Sequence, residues 1–273
     1  MTALIITLAV ILLLALAVLF LILPSNRRHP DLEKLKGLRI AHRGLHQNEN
    51  GVPENSLKAF KAAIENGFAI ENDIHITKDG EIVVFHDDTL ARMCGVDKII
   101  EDLTLEEIKK YPLLDTNEYI PTLKECLDLI DGAVPLLVEF KCRSLINCTE
   151  LCEKANEILS DYKGKYFVQS FYPFVIKWYR KNRPDILRGQ LAEAFKGEEI
   201  YKRALGNMLL NFISRPDFVS YKHNHKNKFM FRLAKKLGGF PVGWTFTKQQ
   251  EIDTSKSDFK AFIFENFKAN LKD

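Results

Sequence analysis

Short β-branched or apolar runs alternate with longer helical patterns along most of this chain. That alternation restricts it to folds built from βα units around a parallel sheet. The strand candidates are Leu38–His42, Ala69–Ile76, Ile82–His86, Pro135–Phe140, Tyr166–Ser170, Ile186–Leu191, Phe218–Tyr221, Pro241–Thr245 and Ala261–Phe264. Helical patterns between them include Ser56–Asn66, Leu105–Tyr111, Leu123–Ile130, Thr149–Leu159, Phe174–Asn182 and Lys226–Leu237. The expectation is an α/β fold, a closed (β/α)₈ TIM barrel. Nine strand candidates compete for eight places. Ile82–His86 is the surplus, because it follows Ile76 across the turn residues Lys78-Asp79-Gly80 as a hairpin would. The stretch from Asp87 to Pro121 then reads as a small insertion after the second strand.

One segment lies outside this alternation. Residues 1–26 carry no charged side chain, and from Ala3 to Leu23 the only polar residue is Thr7. As a helix such a run matches the hydrocarbon core of a bilayer. It carries no Lys or Arg before it and no clear small-x-small site after it, which favours an uncleaved transmembrane helix over a signal peptide. The expected organisation is an anchor at 1–24, a linker at 25–37 and the barrel at 38–273. Arg27, Arg28, Lys34, Lys36 and Arg39 follow the anchor, so the positive-inside rule favours a cytoplasm-facing barrel. The five cysteines are too few for a disulfide scaffold, and Cys142, Cys148 and Cys152 match no paired zinc spacing. Cys148 and Cys152, four apart, are expected on the apolar face of a helix. With 39 Lys and Arg against 36 Asp and Glu, the net charge of +3 gives no reason to expect a nucleic-acid partner.

In a TIM barrel, chemistry sits at the C-terminal ends of the strands. His42 ends the first candidate, Glu71 and Asp73 lie in the second, His86 ends the Ile82 run, Glu139 and Lys141 end the Pro135 run, and Trp244 lies near the end of the Pro241 run. Buried strands do not carry carboxylates without a compensating cation or metal. Glu71 and Asp73, two apart, point to one face, and Glu139 adds a third oxygen ligand. That set suits Mg²⁺, Ca²⁺ or Mn²⁺; ion pairing with Arg43 and Lys141 is the alternative. His42 and His86 suit an acid/base pair. Arg43 offers donors for phosphate, and Asp87 can orient a histidine or bind Arg92. His75 is read as a neighbour of the site, and His29, His46, His223 and His225 as surface residues.

The motifs His42-Arg43-Gly44, Pro53-Glu54-Asn55-Ser56, Glu71-Asn72-Asp73, Thr77-Lys78-Asp79-Gly80, Val83-Val84-Phe85-His86-Asp87 and Leu90-Ala91-Arg92 occur in one order at close spacing. Pro121-Thr122-Leu123, Val138-Glu139-Phe140-Lys141, Ser170-Phe171 and Gly243-Trp244-Thr245 continue them. Together they resemble the glycerophosphodiester phosphodiesterase family across nearly all of residues 38–266. The resemblance implies hydrolysis of glycerophosphodiesters to sn-glycerol 3-phosphate and an alcohol. By the same similarity Glu71, Asp73 and Glu139 hold one divalent cation, Mg²⁺ or Ca²⁺, with Mn²⁺ also compatible. His42 and His86 are then general base and general acid, and Arg43 and Lys141 neutralise phosphate. Trp244 lines the pocket, and Glu54 either contacts substrate or caps a helix.

Two departures from the family pattern fall at Tyr172 and at Glu265-Asn266, and they bear on pocket shape and alcohol preference. A lipid-directed enzyme is the alternative, a lysophospholipase D or a phosphatidylglycerol or polyglycerophosphate hydrolase. Phe171, Tyr172, Phe174, Trp178 and Tyr179 would supply an apolar lip for an acyl chain, or equally the core face of a helix. A catalytically dead, membrane-tethered binding protein is a third reading, disfavoured by the intact histidine and carboxylate set. The basic patch Lys222–Lys228 reads as a solvated loop or a contact for anionic headgroups.

Overall fold

In the computed structural model of the chain, which describes residues 1–25, 29–195 and 200–271, all nine expected strands form. They are β1 (Arg39–Ala41), β2 (Ala69–Ile76), β3 (Ile82–Val84), β4 (Leu136–Phe140), β5 (Tyr166–Ser170), β6 (Arg188–Ala192), β7 (Phe218–Lys222), β8 (Phe240–Phe246) and β9 (Ala261–Phe264). Eight of them run parallel in the ring β1-β9-β8-β7-β6-β5-β4-β2, which closes through the β1–β2 pairing. β3 stands outside the ring as the antiparallel hairpin partner of β2. Its turn is set by Thr77, whose N–H donates to Glu81 O at 2.9 Å, and by Gly80 at a φ of 85°.

The helices are α1 (Thr2–Ile22), α2 (Leu57–Glu65), α3 (Ala91–Cys94), α4 (Leu105–Ile108), α5 (Leu123–Ile130), α6 (Leu145–Asp161), α7 (Pro173–Asn182), α8 (Ile200–Gly206), α9 (Asn211–Ser214), α10 (Phe229–Lys236) and α11 (Gln249–Asp253). Caps predictable from sequence start three of them. Ser56 accepts from Ala59 N–H at the head of α2, and Thr104 and Thr122 form capping boxes with Glu107 and Glu125. The pattern over Leu105–Tyr111 yields only the single turn α4, whereas α6 begins at Leu145, before the expected Thr149. α3 and α4 close a small core of Val83, Phe85, Met93, Ile100, Ile108 and Ile120, which is the expected insertion after β2.

The interior is layered along the strands. Its lower layer is apolar, with Ile40, Ala69, Leu137, Phe167, Phe218, Val242 and Ile263, and is closed from below by Leu32 and Leu35. Two residues further along the inward face of each strand, the side chains change to His42, Glu71, Glu139, Gln169, Ser220, Trp244 and Glu265. This switch of character on one face locates the chemistry at the C-terminal end of the barrel.

α1 is long and apolar enough to cross a membrane, and nearly all of it is exposed. Its base is fixed to the opposite end of the barrel. Ile22 is fully buried, its carbonyl accepts from Asn211 Nδ2 at 2.9 Å, and Leu23 O accepts from Arg215 Nη1 at 2.8 Å. Arg27 and Arg28 lie outside the described residues. Cys148 and Cys152 are buried as expected, but Cys142 and Cys148 are joined in a disulfide.

Candidate active site

The backbone turns sharply after β1. Arg43 and Gly44 both take positive φ, at 55° and 80°. A side chain at Gly44 would meet Phe60 and Ala59 at 2.8–2.9 Å, so only glycine lets this loop lie against α2. The turn directs Arg43 N–H to Glu71 Oε2 at 3.0 Å. Asn55, also at positive φ, donates its N–H to Arg43 O at 2.9 Å and its Nδ2 to Asp73 Oδ2 at 2.9 Å. The Pro-Glu-Asn segment thus fixes an acidic ligand candidate.

Glu71, Asp73 and Glu139 offer oxygens that lie within 4.8 Å of one another, and all three residues are buried. Strand register dictates this, because Asp73 of β2 stands directly beside Glu139 of β4. Lys141 Nζ lies 2.9 Å from Asp73 Oδ1 and also bonds Glu139. Arg43 Nε lies 3.5 Å from Asp73 Oδ2. Metal-type clustering and cation pairing therefore coexist. Burial, Asp73 and Glu139 push the Glu71 carboxyl well above its ordinary range. Burial would raise Asp73 too, but Lys141, His86 and Arg43 hold it well below. Glu71 Oε1 is buried without a partner in the protein. Three buried carboxylates with one orphaned oxygen form an all-oxygen donor set that fits a hard divalent cation.

Each candidate acid/base histidine is backed by a carboxylate. His42 Nδ1 lies 2.6 Å from Glu265 Oε2, and His86 Nδ1 lies 2.6 Å from Asp87 Oδ1. A carboxylate only accepts, so Nδ1 carries the hydrogen in both rings and Nε2 is left for the cavity. Arg92 Nε grips Asp87 at 2.7 Å and its Nη2 reaches Glu54 at 2.7 Å. Arg43 Nη1 and Asn48 Nδ2 also donate to Glu54, at 2.6 and 3.0 Å. Burial would raise Glu54, yet the Arg92 hydrogen bonds and the Arg43 charge bring it to about 2. Glu54 is thus the hub that holds two arginines, while Ser56 supplies the helix cap.

The site opens into a cavity of about 520 Å³, lined by His42, Arg43, Glu54, Glu71, His86, Glu139, Lys141 and Trp244. Asp73 is their partner in the acidic cluster, so all nine sequence-predicted residues come together. On the far wall Phe171 and Trp244 meet edge to face at 5.8 Å, and Lys222, paired with Glu193 at 2.6 Å, stands 5.6 Å over the Trp244 ring. Of the candidate lip residues Phe171 lines the cavity, whereas Tyr179 is buried in the core. His75 is a buried neighbour, near Glu101 and His86 O. His46 and His223 are buried cavity residues and not surface ones. Sequence reasoning did not assign Glu265, read only as a change in pocket shape, Gln169, or Lys222, read only within a basic patch, to these contacts. The period-two pattern continuing from Ile263 and Phe167 would have found the first two.

Comparison with known proteins bears on the family and the fold. The glycerophosphoryl diester phosphodiesterase family model matches residues 42–262. A glycerophosphodiester phosphodiesterase of Caldanaerobacter subterraneus is 36% identical over 170 residues, which is 58% of this chain and 67% of that protein. A human lysophospholipase D is 30% identical over 175 residues, 58% of this chain and 53% of that one. Among solved structures, an Oleispira antarctica phosphodiesterase in complex with the product sn-glycerol-3-phosphate superposes with a TM-score of 0.69 at 22% identity. It covers 86% of this chain and 94% of its own. A Thermotoga maritima glycerophosphodiester phosphodiesterase gives 0.65 at 24% identity, covering 83% and 94%. The chain belongs to the glycerophosphoryl diester phosphodiesterase family.

Proposed function

We propose that this enzyme hydrolyses glycerophosphodiesters to sn-glycerol 3-phosphate and an alcohol, by acid/base catalysis from His42 and His86 through a cyclic 1,2-phosphate. The observation that carries the reading is the pair of carboxylate-backed imidazoles, both at the cavity that holds the acidic cluster. His42 Nε2 takes the proton of the glycerol 2-hydroxyl as its oxygen attacks phosphorus. His86 Nε2 gives a proton to the departing alcohol oxygen. The roles then reverse, and water opens the ring. Glu265 and Asp87 hold the two rings and stabilise the imidazolium formed in each step. Arg43 and Lys141 neutralise phosphoryl oxygens. A divalent cation held by Glu71, Asp73 and Glu139, Mg²⁺ or Ca²⁺ with Mn²⁺ also compatible, supplies Lewis-acid charge neutralisation. Trp244 and Phe171 face the leaving alcohol.

α1 serves in this reading as a single-pass anchor over residues 1–24, joined by residues 25–37 to a barrel over 38–273. The anchor base meets the apolar end of the barrel, beside Asn211, Arg215 and Pro216 before β7, whereas the cavity opens at the other end. That arrangement turns the mouth away from the anchoring bilayer and favours water-soluble diesters. The lipid-directed reading, with a lysophospholipid substrate, draws support from the likeness to a human lysophospholipase D. Protease protection of sealed vesicles tests the cytoplasmic barrel favoured by the flanking charges.

The test uses the full chain in detergent with glycerophosphocholine, glycerophosphoethanolamine or lysophosphatidylcholine, each with EDTA, Mg²⁺ or Ca²⁺. Metal-restored release of sn-glycerol 3-phosphate from the soluble diesters is expected. Preference for the lysolipid with lysophosphatidic acid as product would establish the lipid reading. Turnover of bis(p-nitrophenyl) phosphate, which has no neighbouring hydroxyl, at the glycerophosphodiester rate would exclude the cyclic step.

A further inference from the structure

His46 is 8% exposed, lines the active-site cavity, and has no hydrogen-bond partner among the described residues for either ring nitrogen. Its loop is fixed on both sides. Leu45 N–H donates to Ala59 O at 3.0 Å, and Gln47 N–H donates to Val52 O at 2.8 Å. The charged groups around it are already committed to others. Arg43 and Asn48 donate to Glu54, and Glu265 is bound to His42. Leaving buried ring nitrogens without partners is costly. Their partners therefore come from what fills the cavity.

We propose that His46 binds the terminal sn-1 hydroxyl of the substrate's glycerol and so restricts the site to diesters whose glycerol is deacylated. The assignment rests on the reaction given above, in which His42 acts on the 2-hydroxyl; the next hydroxyl, one carbon away, falls to the neighbouring imidazole. The chemistry selects the ligand. A neutral imidazole turns either its donor or its acceptor nitrogen to the cavity, and a hydroxyl, which donates and accepts, suits whichever one it meets. A phosphate oxygen or a carboxylate would use only the donor, and an ammonium only the acceptor. Burial and the nearby His42 and Arg43 favour the neutral ring, against the pull of Glu54 and Glu265. An acyl chain on the sn-1 oxygen removes its hydrogen and adds bulk, so a lysolipid loses this contact.

The experiment is calorimetric titration of the full chain in detergent and Mg²⁺ with sn-glycerol 3-phosphate and with 2-hydroxypropyl phosphate, which lacks the terminal hydroxyl. The wild type is expected to prefer glycerol 3-phosphate by about 10- to 100-fold, the span of a buried hydrogen-bonded hydroxyl. His46→Leu should bring that ratio close to one by weakening glycerol 3-phosphate alone. His46→Gln, which keeps a donor and an acceptor, should retain a preference. A wild-type ratio near one overturns the proposal even if the leucine variant does not fold. Equal weakening of both ligands in a variant, or binding of neither by the wild type, also overturns it. Turnover of glycerophosphocholine is followed in parallel. Absent turnover with an intact hydroxyl preference would sink the reaction and leave the subsite standing.

Discussion

His42 Nδ1 lies 2.6 Å from Glu265 Oε2, joining the ends of the first and last barrel strands across 223 residues of sequence. The contact fixes the ring and its tautomer, and burial of the carboxylate is offset by that hydrogen bond, which keeps Glu265 below its ordinary range. Glu265→Gln retains the size of the side chain but removes the charge that holds the hydrogen on Nδ1. Loss of the orienting carboxylate in a comparable dyad costs about 10⁴ in rate. We expect kcat to fall by roughly 10²-fold or more with KM nearly unchanged. Steady-state kinetics on glycerophosphocholine measures this, and a kcat within twofold of wild type would show that Glu265 does not orient the base.

The acidic cluster gives a pH-dependent signature of its own. Folding raises the Glu71 carboxyl above its ordinary 4.5. Its protonated form is thus favoured in the native state, and its contribution to stability is full below that value and lost as pH rises through the raised one. In EDTA, Glu71→Gln should therefore melt above wild type at neutral pH, and the difference should shrink toward pH 4. A divalent cation at a hundred times its Kd stabilises the wild type by about 2.7 kcal/mol, and the variant should gain less. Thermal melts across pH, with and without Mg²⁺, report both effects. A Glu71→Gln protein that gains as much from Mg²⁺ as wild type would remove Glu71 from the ligand set.

The barrel was legible because buried parallel strands leave apolar runs of the right length, and the chemistry was legible because carboxylates and histidines interrupt those runs. Glu71, Asp73 and Glu139 stood out for that reason. Glu265 did not, since it falls one residue past β9 and a single carboxylate after a strand has no local reason to be paired; its partner lies at the other end of the chain. His46 was read as a surface residue because it lacks the strand-end context of His42 and His86. The loop is nonetheless pinned to α2 by the close approach at Gly44, a tertiary contact without local signature. The short helices α8, α9 and α11 carry too few turns to show a period.

Glu54 links Arg43 to the His86–Asp87 pair through Arg92. Its native carboxyl titrates near 2 against an ordinary 4.5, which corresponds to roughly 3 kcal/mol of stability at neutral pH. Because the native value is depressed, that stability is present above about 4.5 and is lost as pH falls toward 2. Glu54→Gln should accordingly unfold at lower denaturant than wild type at pH 7, with the gap roughly halved at pH 3. A gap of the same size at both pH values would mean that packing, and not the ion pairs, accounts for the loss.

The base of α1 belongs to the barrel's packing as well as to the apolar segment. Ile22 is fully buried in the main core, and its carbonyl and that of Leu23 accept from Asn211 and Arg215. Ser25 N–H donates to Pro216 O at 2.9 Å, so the chain is fastened on both sides of Pro24. Cutting before residue 25 exposes this pocket and leaves the Asn211 and Arg215 donors without those acceptors. Large-to-small substitution at a fully buried Ile costs about 2–5 kcal/mol. We expect Ile22→Ala in the full chain to lower the melting temperature by at least about 5 °C at this size. A chain beginning at residue 20 should likewise outlast one beginning at residue 25. Neither change touches the catalytic end, so kcat on glycerophosphocholine below the melting temperature should stay within about twofold. Equal melting of the two truncations would show that α1 is attached to the barrel without supporting it.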